Sequence, residues 1–403
     1  MTDCSLAPAI APTAAWMGET NEVTRTFLGA ASIPGMINLG GGLPDPATFP
    51  TEELAELARA AVADHPAESL GYAPIEGLPD LRAALARRYS TGALKLGPEN
   101  VLITTGGMQA LDLVGKLYAD KGDVIAAQSP TYLGALDAWR PRYPRYRPMH
   151  LETLASGAAT ALSGACFAYT VPNFSNPTGA LVDLAARRAL VAAARASGTP
   201  LVEDDPYGAL YYDDTPLPRM IEIDAEAHPA ARYDGPVIYL GTVSKELAPG
   251  LRVGWVIAAP EVIEQLTVVK QGSDLATSSL CQRMVCSALE SGLMDRVRGA
   301  TLDTYRPRRD VLCAAVEAHL SEHFTFTRPV GGMFVWITAK DSALDTDALM
   351  RVGLEHGVCI SPSSVFDPEG RDRSSARLNF TANPAETLEE GVRRLARAVA
   401  ALR

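Results

Sequence analysis

Lysine is scarce in this chain: only six of its 36 basic residues are lysine (Lys95, Lys116, Lys121, Lys245, Lys270 and Lys340). Positive charge is in deficit overall, with 47 acidic residues and a formal net charge of −11. A field of that sign repels polyanions, so neither nucleic acid nor an anionic membrane surface is an expected partner, and any anion site has to be built locally. Apolar runs of about 20 residues are lacking, so no helical membrane span is expected. The six cysteines (Cys4, Cys166, Cys281, Cys286, Cys313, Cys359) contain no CxxC pair, and in so long a chain they read as reduced, core-filling thiols rather than a disulfide framework. The six histidines show no HExxH or other ligand spacing, so no metal site is expected. Neither G-x-G-x-x-G nor G-x-x-x-x-G-K-[ST] occurs, leaving a dinucleotide fold and a nucleotide P-loop without support. The start, Met1-Thr2-Asp3-Cys4, carries an acid where a signal peptide has a base, and Pro8 and Pro12 interrupt the next apolar stretch. The expected setting is the cytoplasm.

What is present is an ordinary globular composition, 47% hydrophobic and 21% charged over 403 residues, enough for two or three folding units. From about 100 to 260 short apolar runs alternate with helical periodicity, the mark of an α/β domain with a mainly parallel, mixed sheet flanked by helices. The expected strands are 101–104, 124–127, 166–171, 200–203, 237–240 and 253–257, with helices over 109–118, 184–196 and 260–269. Residues 279–320 read as helical with a break at Pro307. Short strands at 333–337, 358–361 and 377–380 and a closing helix over 384–402 point to a smaller α+β domain. The expected division is an N-terminal arm with part of the small domain (1–50), a large domain (51–290) and a C-terminal small domain (291–403).

The most informative segment runs from Gly241 to Trp255 behind an apolar strand, where Thr242 and Ser244 precede Lys245 and Arg252 follows seven positions on. Burial there lowers an amine's pKa from about 10.4 and frees it to attack a carbonyl. The two hydroxyls and the planar guanidinium suit a phosphate. Thr104-Thr105-Gly106-Gly107-Met108-Gln109 likewise follows a strand and opens a helix, offering backbone N–H groups to an anion. Two further polar loops, Glu203-Asp204-Asp205-Pro206-Tyr207 and Asn173-Phe174-Ser175-Asn176-Pro177-Thr178-Gly179, follow strands of the same sheet, where open α/β sheets bind ligands. Together these loops ask for a ligand with a phosphate, a carbonyl for Lys245 and polar ring substituents for Asp204, Tyr207 and Asn176. Pyridoxal 5'-phosphate fits that list, an acid at its ring nitrogen keeping the ring an electron sink.

With those motifs, and with Ser129-Pro130-Thr131-Tyr132 and Arg377-Leu378-Asn379-Phe380 in the same order, the chain resembles the class I/II aminotransferases among the fold-type I pyridoxal-phosphate enzymes. Within them it is similar to the branch of 2-aminoadipate, aromatic and kynurenine aminotransferases, from about residue 37 to the end. The resemblance implies that Lys245 joins the cofactor and shuttles the proton, that Asp204 pairs with the ring nitrogen, and that Tyr207 and Asn176 meet the ring oxygen. It implies Tyr132 on the ring face and the phosphate held by the main chain of Gly107, Met108 and Gln109 with Thr242 or Ser244 and Arg252. Tyr72 would reach the phosphate of a neighbouring subunit, making a homodimer with shared sites. Arg377 would clamp the substrate α-carboxylate beside Asn176 and Gly41. The implied reaction moves the amino group of an aromatic, aliphatic or 2-aminoadipate-like amino acid to a 2-oxo acid such as 2-oxoglutarate or pyruvate.

The sequence departs from the family's habits at Gly107 and Met108, where side-chain donors are common, and at Thr242, where serine is usual. The D-x-x-Y spacing favours Asp204 over Asp205 as the ring partner. The competing readings are another pyridoxal-phosphate enzyme on the same scaffold (a β-lyase, a decarboxylating enzyme or an oxidase) and a regulator module fused to a DNA-binding segment. Against the second, Arg25 is the one basic residue among the first 40. Arg25 is also a candidate to reach over the pocket to a substrate side chain. The cluster Arg140, Arg142, Arg145 and Arg147 reads as a solvated face, and His319 with His323 as a surface pair on one helix.

Overall fold

The computed structural model describes residue 26, residues 29–30, residues 33–213 and residues 215–402; Cys4 and Arg25 lie outside them. Its first strand, β1 (Ile37–Asn38), belongs to the arm. The large sheet takes β2 (Val101–Thr104), β3 (Val124–Ser129), β4 (Arg145–His150), β5 (Phe167–Thr170), β6 (Leu201–Asp204), β7 (Val237–Thr242) and β8 (Gly254–Ile257) in the order β2-β8-β7-β6-β5-β3-β4. All neighbours are parallel except β8, which runs antiparallel to β2 and β7.

The central strands are buried throughout because helices cover both faces, and their period of two sorts each strand between two cores. Val101, Ile103, Ala168, Leu201, Val237, Tyr239 and Trp255 feed one core. Leu102, Phe167, Tyr169, Val202, Ile238, Leu240 and Val256 feed the other. The alternation continues past the apolar runs. Asp204 therefore falls on the face of Val202, Thr242 on the face of Leu240, and Asp205 on the opposite side.

The smaller sheet has the order β12-β13-β10-β9, all antiparallel, from β9 (Phe324–Phe326), β10 (Phe334–Ala339), β12 (Ser361–Pro362) and β13 (Ser375–Asn379). The strand β11 (Val358–Cys359) pairs in parallel with β1, which ties the arm to this end of the chain. A third core, including Leu312, Val316, Val335, Leu378 and Leu395, packs these strands against the helices Leu293–Leu320, Thr346–Glu355 and Ala385–Leu402.

Three local expectations need correction. The helix Leu293–Leu320 continues through Pro307; Pro307 and Asp303 are exposed, so the carbonyl that a proline cannot bond is on the solvent side, where the loss is least costly. The interruption falls instead between Glu290 and Leu293, where Gly292 takes φ +70. His323 lies beyond the end of that helix, so it does not pair with His319 on one helical face. The basic cluster is more than a solvated face: Arg145 and Arg147 sit on the edge strand β4, where charge blunts an open edge. Arg142 Nε and Arg147 Nη1 donate to Gly115 O and Ala161 O, at 2.6 and 2.8 Å, near the ends of two helices.

Candidate active site

The carboxyl ends of β2, β3, β5, β6 and β7 open on one edge of the large sheet, and there a cavity of about 430 Å³ is closed by the arm and by Arg377 of the small sheet. Face parity decides what lines it. Asp204 and Thr242 border the cavity. Asp205 turns to the other side, accepting from Asn173 Nδ2 at 2.9 Å and from the Tyr239 hydroxyl at 3.2 Å. Asp204 is held by the Tyr169 hydroxyl, which donates to its Oδ2 at 2.7 Å. Burial raises its carboxyl to about 7, against the pull of Tyr169.

Lys245 follows β7 in a turn, and its Nζ donates to Gly42 O of the arm at 2.8 Å. Burial pulls this amine down to about 8, helped by the cations Arg377 and Arg252. No carboxylate pairs with it among the described residues.

Gly106 adopts φ +77, and a Cβ there would collide with Arg252 Nη2. Only a glycine lets that guanidinium rest against the turn. Gly107 opens the helix Gly107–Tyr118, whose first N–H groups lack helical partners. Gly107, Met108 and Arg252 border the cavity, with Thr242 and Ser244 beside them. Thr242 Oγ1 lies 2.9 Å from Ser244 Oγ. Gln109 stays apart: its side chain accepts from Thr105 N at 2.8 Å and closes the turn.

Arg377 comes from β13, opposite Trp336 and Ser361. It is 3% exposed, and its guanidinium lies 4.5 Å from the Phe334 ring centre and 4.9 Å from that of Phe366. Nη1 donates to Asn176 Oδ1 at 2.5 Å and Nη2 to Gly40 O, while Nε has no partner. Burial lowers the group to about 10. A cation buried without a carboxylate is costly, so the fork suits an incoming one.

Tyr132, Tyr207 and Gly41 complete the expected set around the cavity. Burial raises the phenols of Tyr132 and Tyr207. Gly40 and Gly41 N–H both donate to Asn38 Oδ1, at 2.9 and 3.0 Å, which shapes the glycine run. Tyr72 is 92% exposed and does not border the cavity of its own chain. The lining residues Asn38, Leu43, Leu133 and Val171 escape the sequence reading, since no local motif marks an apolar wall. Tyr169 escapes it too; its signal is the register that sets it beside Val202, two residues before Asp204. Among the described residues no group of three or more His, Cys, Asp or Glu is placed to hold a metal, and no helix is long and apolar enough to cross a membrane.

Residues 34–395 match the family Aminotransferase class I and II. The 2-aminoadipate transaminase of Thermus thermophilus is 37% identical over 385 residues, 94% of either chain. Aromatic-amino-acid aminotransferase 1 of Thermococcus litoralis is 34% identical over 95% of this chain and 92% of its own. Among solved structures, the alpha-aminoadipate aminotransferase of Thermus thermophilus, complexed with N-(5'-phosphopyridoxyl)-L-leucine, superposes with a TM-score of 0.88 at 35% identity, covering 98% of this chain and 97% of its own. The kynurenine aminotransferase of Pyrococcus horikoshii superposes with a TM-score of 0.86 at 31% identity, over 95% of both chains. With a family match over residues 34–395 and likeness along nearly its whole length, this chain belongs to the class I and II aminotransferases, fold-type I enzymes that work with pyridoxal phosphate.

Proposed function

We propose that this enzyme moves the amino group of an aromatic, aliphatic or 2-aminoadipate-like α-amino acid to a 2-oxo acid such as 2-oxoglutarate or pyruvate. The reading is carried by Lys245: a lysine in a lysine-poor chain, with its amine lowered to about 8 between two arginines that serve different anions. At pH 7 about a tenth of such an amine is neutral, against a few parts in ten thousand at an ordinary lysine.

The residues present fit pyridoxal 5'-phosphate. Gly106 leaves a cradle beside Arg252 that a Cβ would fill, and the helix N-terminus at Gly107, Met108 and Gln109 adds N–H donors to the hydroxyls of Thr242 and Ser244, a donor set for a phosphate. Asp204 suits a ring nitrogen, Tyr207 and Asn176 a ring oxygen, and Tyr132 a ring face. The unpartnered Nε of Arg377 suits a substrate carboxylate next to Gly41. When bound, the cofactor supplies an electron sink for the charge left at the substrate α-carbon. Lys245 Nζ would take the substrate α-proton and hold it for return, so a single amine serves as base and then as acid within each half-reaction. Arg377 holds the α-carboxylate and so fixes which bond faces Lys245.

Tyr72, exposed on its own chain, would reach the phosphate site of a second subunit, so the active form is a homodimer with shared sites, working in the cytoplasm. The test is to mix purified protein with single amino acids and follow loss of its visible absorption, then to trap the bound aldehyde with borohydride and map the modified peptide. Modification at Lys245 and turnover that depends on a 2-oxo acid are expected. A label on another residue overturns the assignment, and ammonia or hydrogen peroxide released without an acceptor points to a lyase or oxidase instead.

A further inference from the structure

We infer that Tyr169 is a positioning residue for the reaction, one that favours the charged form of the Asp204 carboxyl and aims it at the ring nitrogen. The inference rests on the cofactor reading above and extends it to a side chain that does not border the cavity.

Tyr169 lies on β5, in register with Val202 on β6 and Ala127 on β3. Asp204, two residues past Val202, shares its face, and a side chain as long as tyrosine spans that diagonal. The phenol is wholly buried. Its ring packs edge-on against Trp139, with centres 5.1 Å apart and planes at 82°. Trp139 is itself fixed by Nε1 donating to Leu111 O at 2.9 Å. The hydroxyl therefore has a set direction, and it meets Asp204 Oδ2 at 2.7 Å. Among the described residues it is the one side chain that donates to this carboxylate. Asp204 also borders the cavity, so the acid is gripped from behind and open in front.

Burial pushes the Tyr169 phenol well above 10, with the charge of Asp204 adding to it, so the proton stays on the phenol oxygen. A donor of that kind favours the charged carboxylate and lowers its pKa. Around Asp204 stand Asp205 and Tyr207 from its own loop, Tyr132 from the turn after β3, Lys245 and Arg252 from beyond β7, and Arg377 from β13. Asp205 opposes ionisation of Asp204 and Tyr169 assists it.

The test is Tyr169→Phe, followed in the amino-donor half-reaction from pH 5.5 to 9. Loss of a hydrogen bond to a charged group is expected to lower the maximal rate about 10- to 100-fold while KM for the donor stays within about twofold. The acid limb of the profile is expected to move up by about one pH unit. Independently of turnover, the dissociation constant of pyridoxal phosphate for the cofactor-free protein, read by fluorescence titration at pH 7, is expected to rise about tenfold. Tyr239→Phe removes the matching hydroxyl from Asp205 and is expected to leave the acid limb in place. Unchanged midpoint and dissociation constant in Tyr169→Phe overturn the inference, as does a lower rate with an unmoved acid limb, which marks a purely structural phenol. Wild-type protein that reacts with no amino acid overturns the broader reading instead, separately from these comparisons.

Discussion

Nη1 of Arg377 lies 2.5 Å from Oδ1 of Asn176, a buried bond across 201 residues that joins the small sheet to a loop of the large one. It orients the guanidinium in advance, and the two aromatic rings beside it strip away water. A planar fork held in this way recognises a carboxylate by two parallel bonds, which a lysine cannot reproduce. Arg377→Lys is expected to raise KM for the amino donor about 10- to 100-fold, measured from the concentration dependence of the half-reaction. Unaltered KM would show that the α-carboxylate binds elsewhere.

Lys245→Ala is expected to abolish turnover in a protein that still folds and binds cofactor. A second consequence concerns stability. The native amine is lowered from 10.5 to about 8, by burial first and then by Arg377 and Arg252. Between those values the unfolded chain holds a proton that the native state has lost, so this group makes stability rise with pH across the window. In cofactor-free protein, the urea midpoint of wild type relative to Lys245→Met is expected to be higher at pH 10 than at pH 8. An equal difference at the two pH values contradicts the lowered amine.

Asp204 and Asp205 are adjacent in the chain but sit on opposite faces of the sheet. Asp204→Asn is expected to slow the half-reaction about a hundredfold or more, as loss of a charge aimed at the reacting system does. Asp205→Asn is expected to cost about 1–3 kcal/mol of stability through Asn173 and Tyr239, with a much smaller kinetic effect. Parallel stability and rate measurements on both variants decide, and the reverse pattern would reassign the ring partner.

Gly106→Ala places a methyl against Arg252 in a left-handed backbone position. About 1 kcal/mol or more of strain and a displaced guanidinium are expected to weaken pyridoxal phosphate binding about tenfold. Equilibrium dialysis of the cofactor-free variant reads this directly. Affinity equal to wild type would remove Arg252 from the phosphate site.

Much of the site is legible because each part is a short, local device. A strand end followed by Gly106-Gly107, by Asp204-x-x-Tyr207 or by Ser244-Lys245 carries its own turn chemistry, and the order of these devices marks the family. The helix over 293–320 is harder to read, because a proline facing water does not stop a helix, whereas Gly292 in a left-handed conformation interrupts one. Strand β4 is hidden for a related reason: Pro148 and the two arginines Arg145 and Arg147 resemble a loop, yet an edge strand tolerates both. Gln109 is left its backbone N–H to offer a phosphate, because its side chain accepts from Thr105 N and closes the turn.

The sequence by itself determined the alternating α/β pattern and singled out Lys245 with the hydroxyls and guanidinium near it, since these depend on residue type and on spacings of a few positions. The tertiary structure alone decided that Asp205 turns away onto Asn173 and Tyr239, that Arg377 meets Asn176, and that Tyr169 stands behind Asp204. Those relationships follow from strand register and from the packing of the small sheet against the large one, and contacts across 35 or 201 residues leave no local pattern to read.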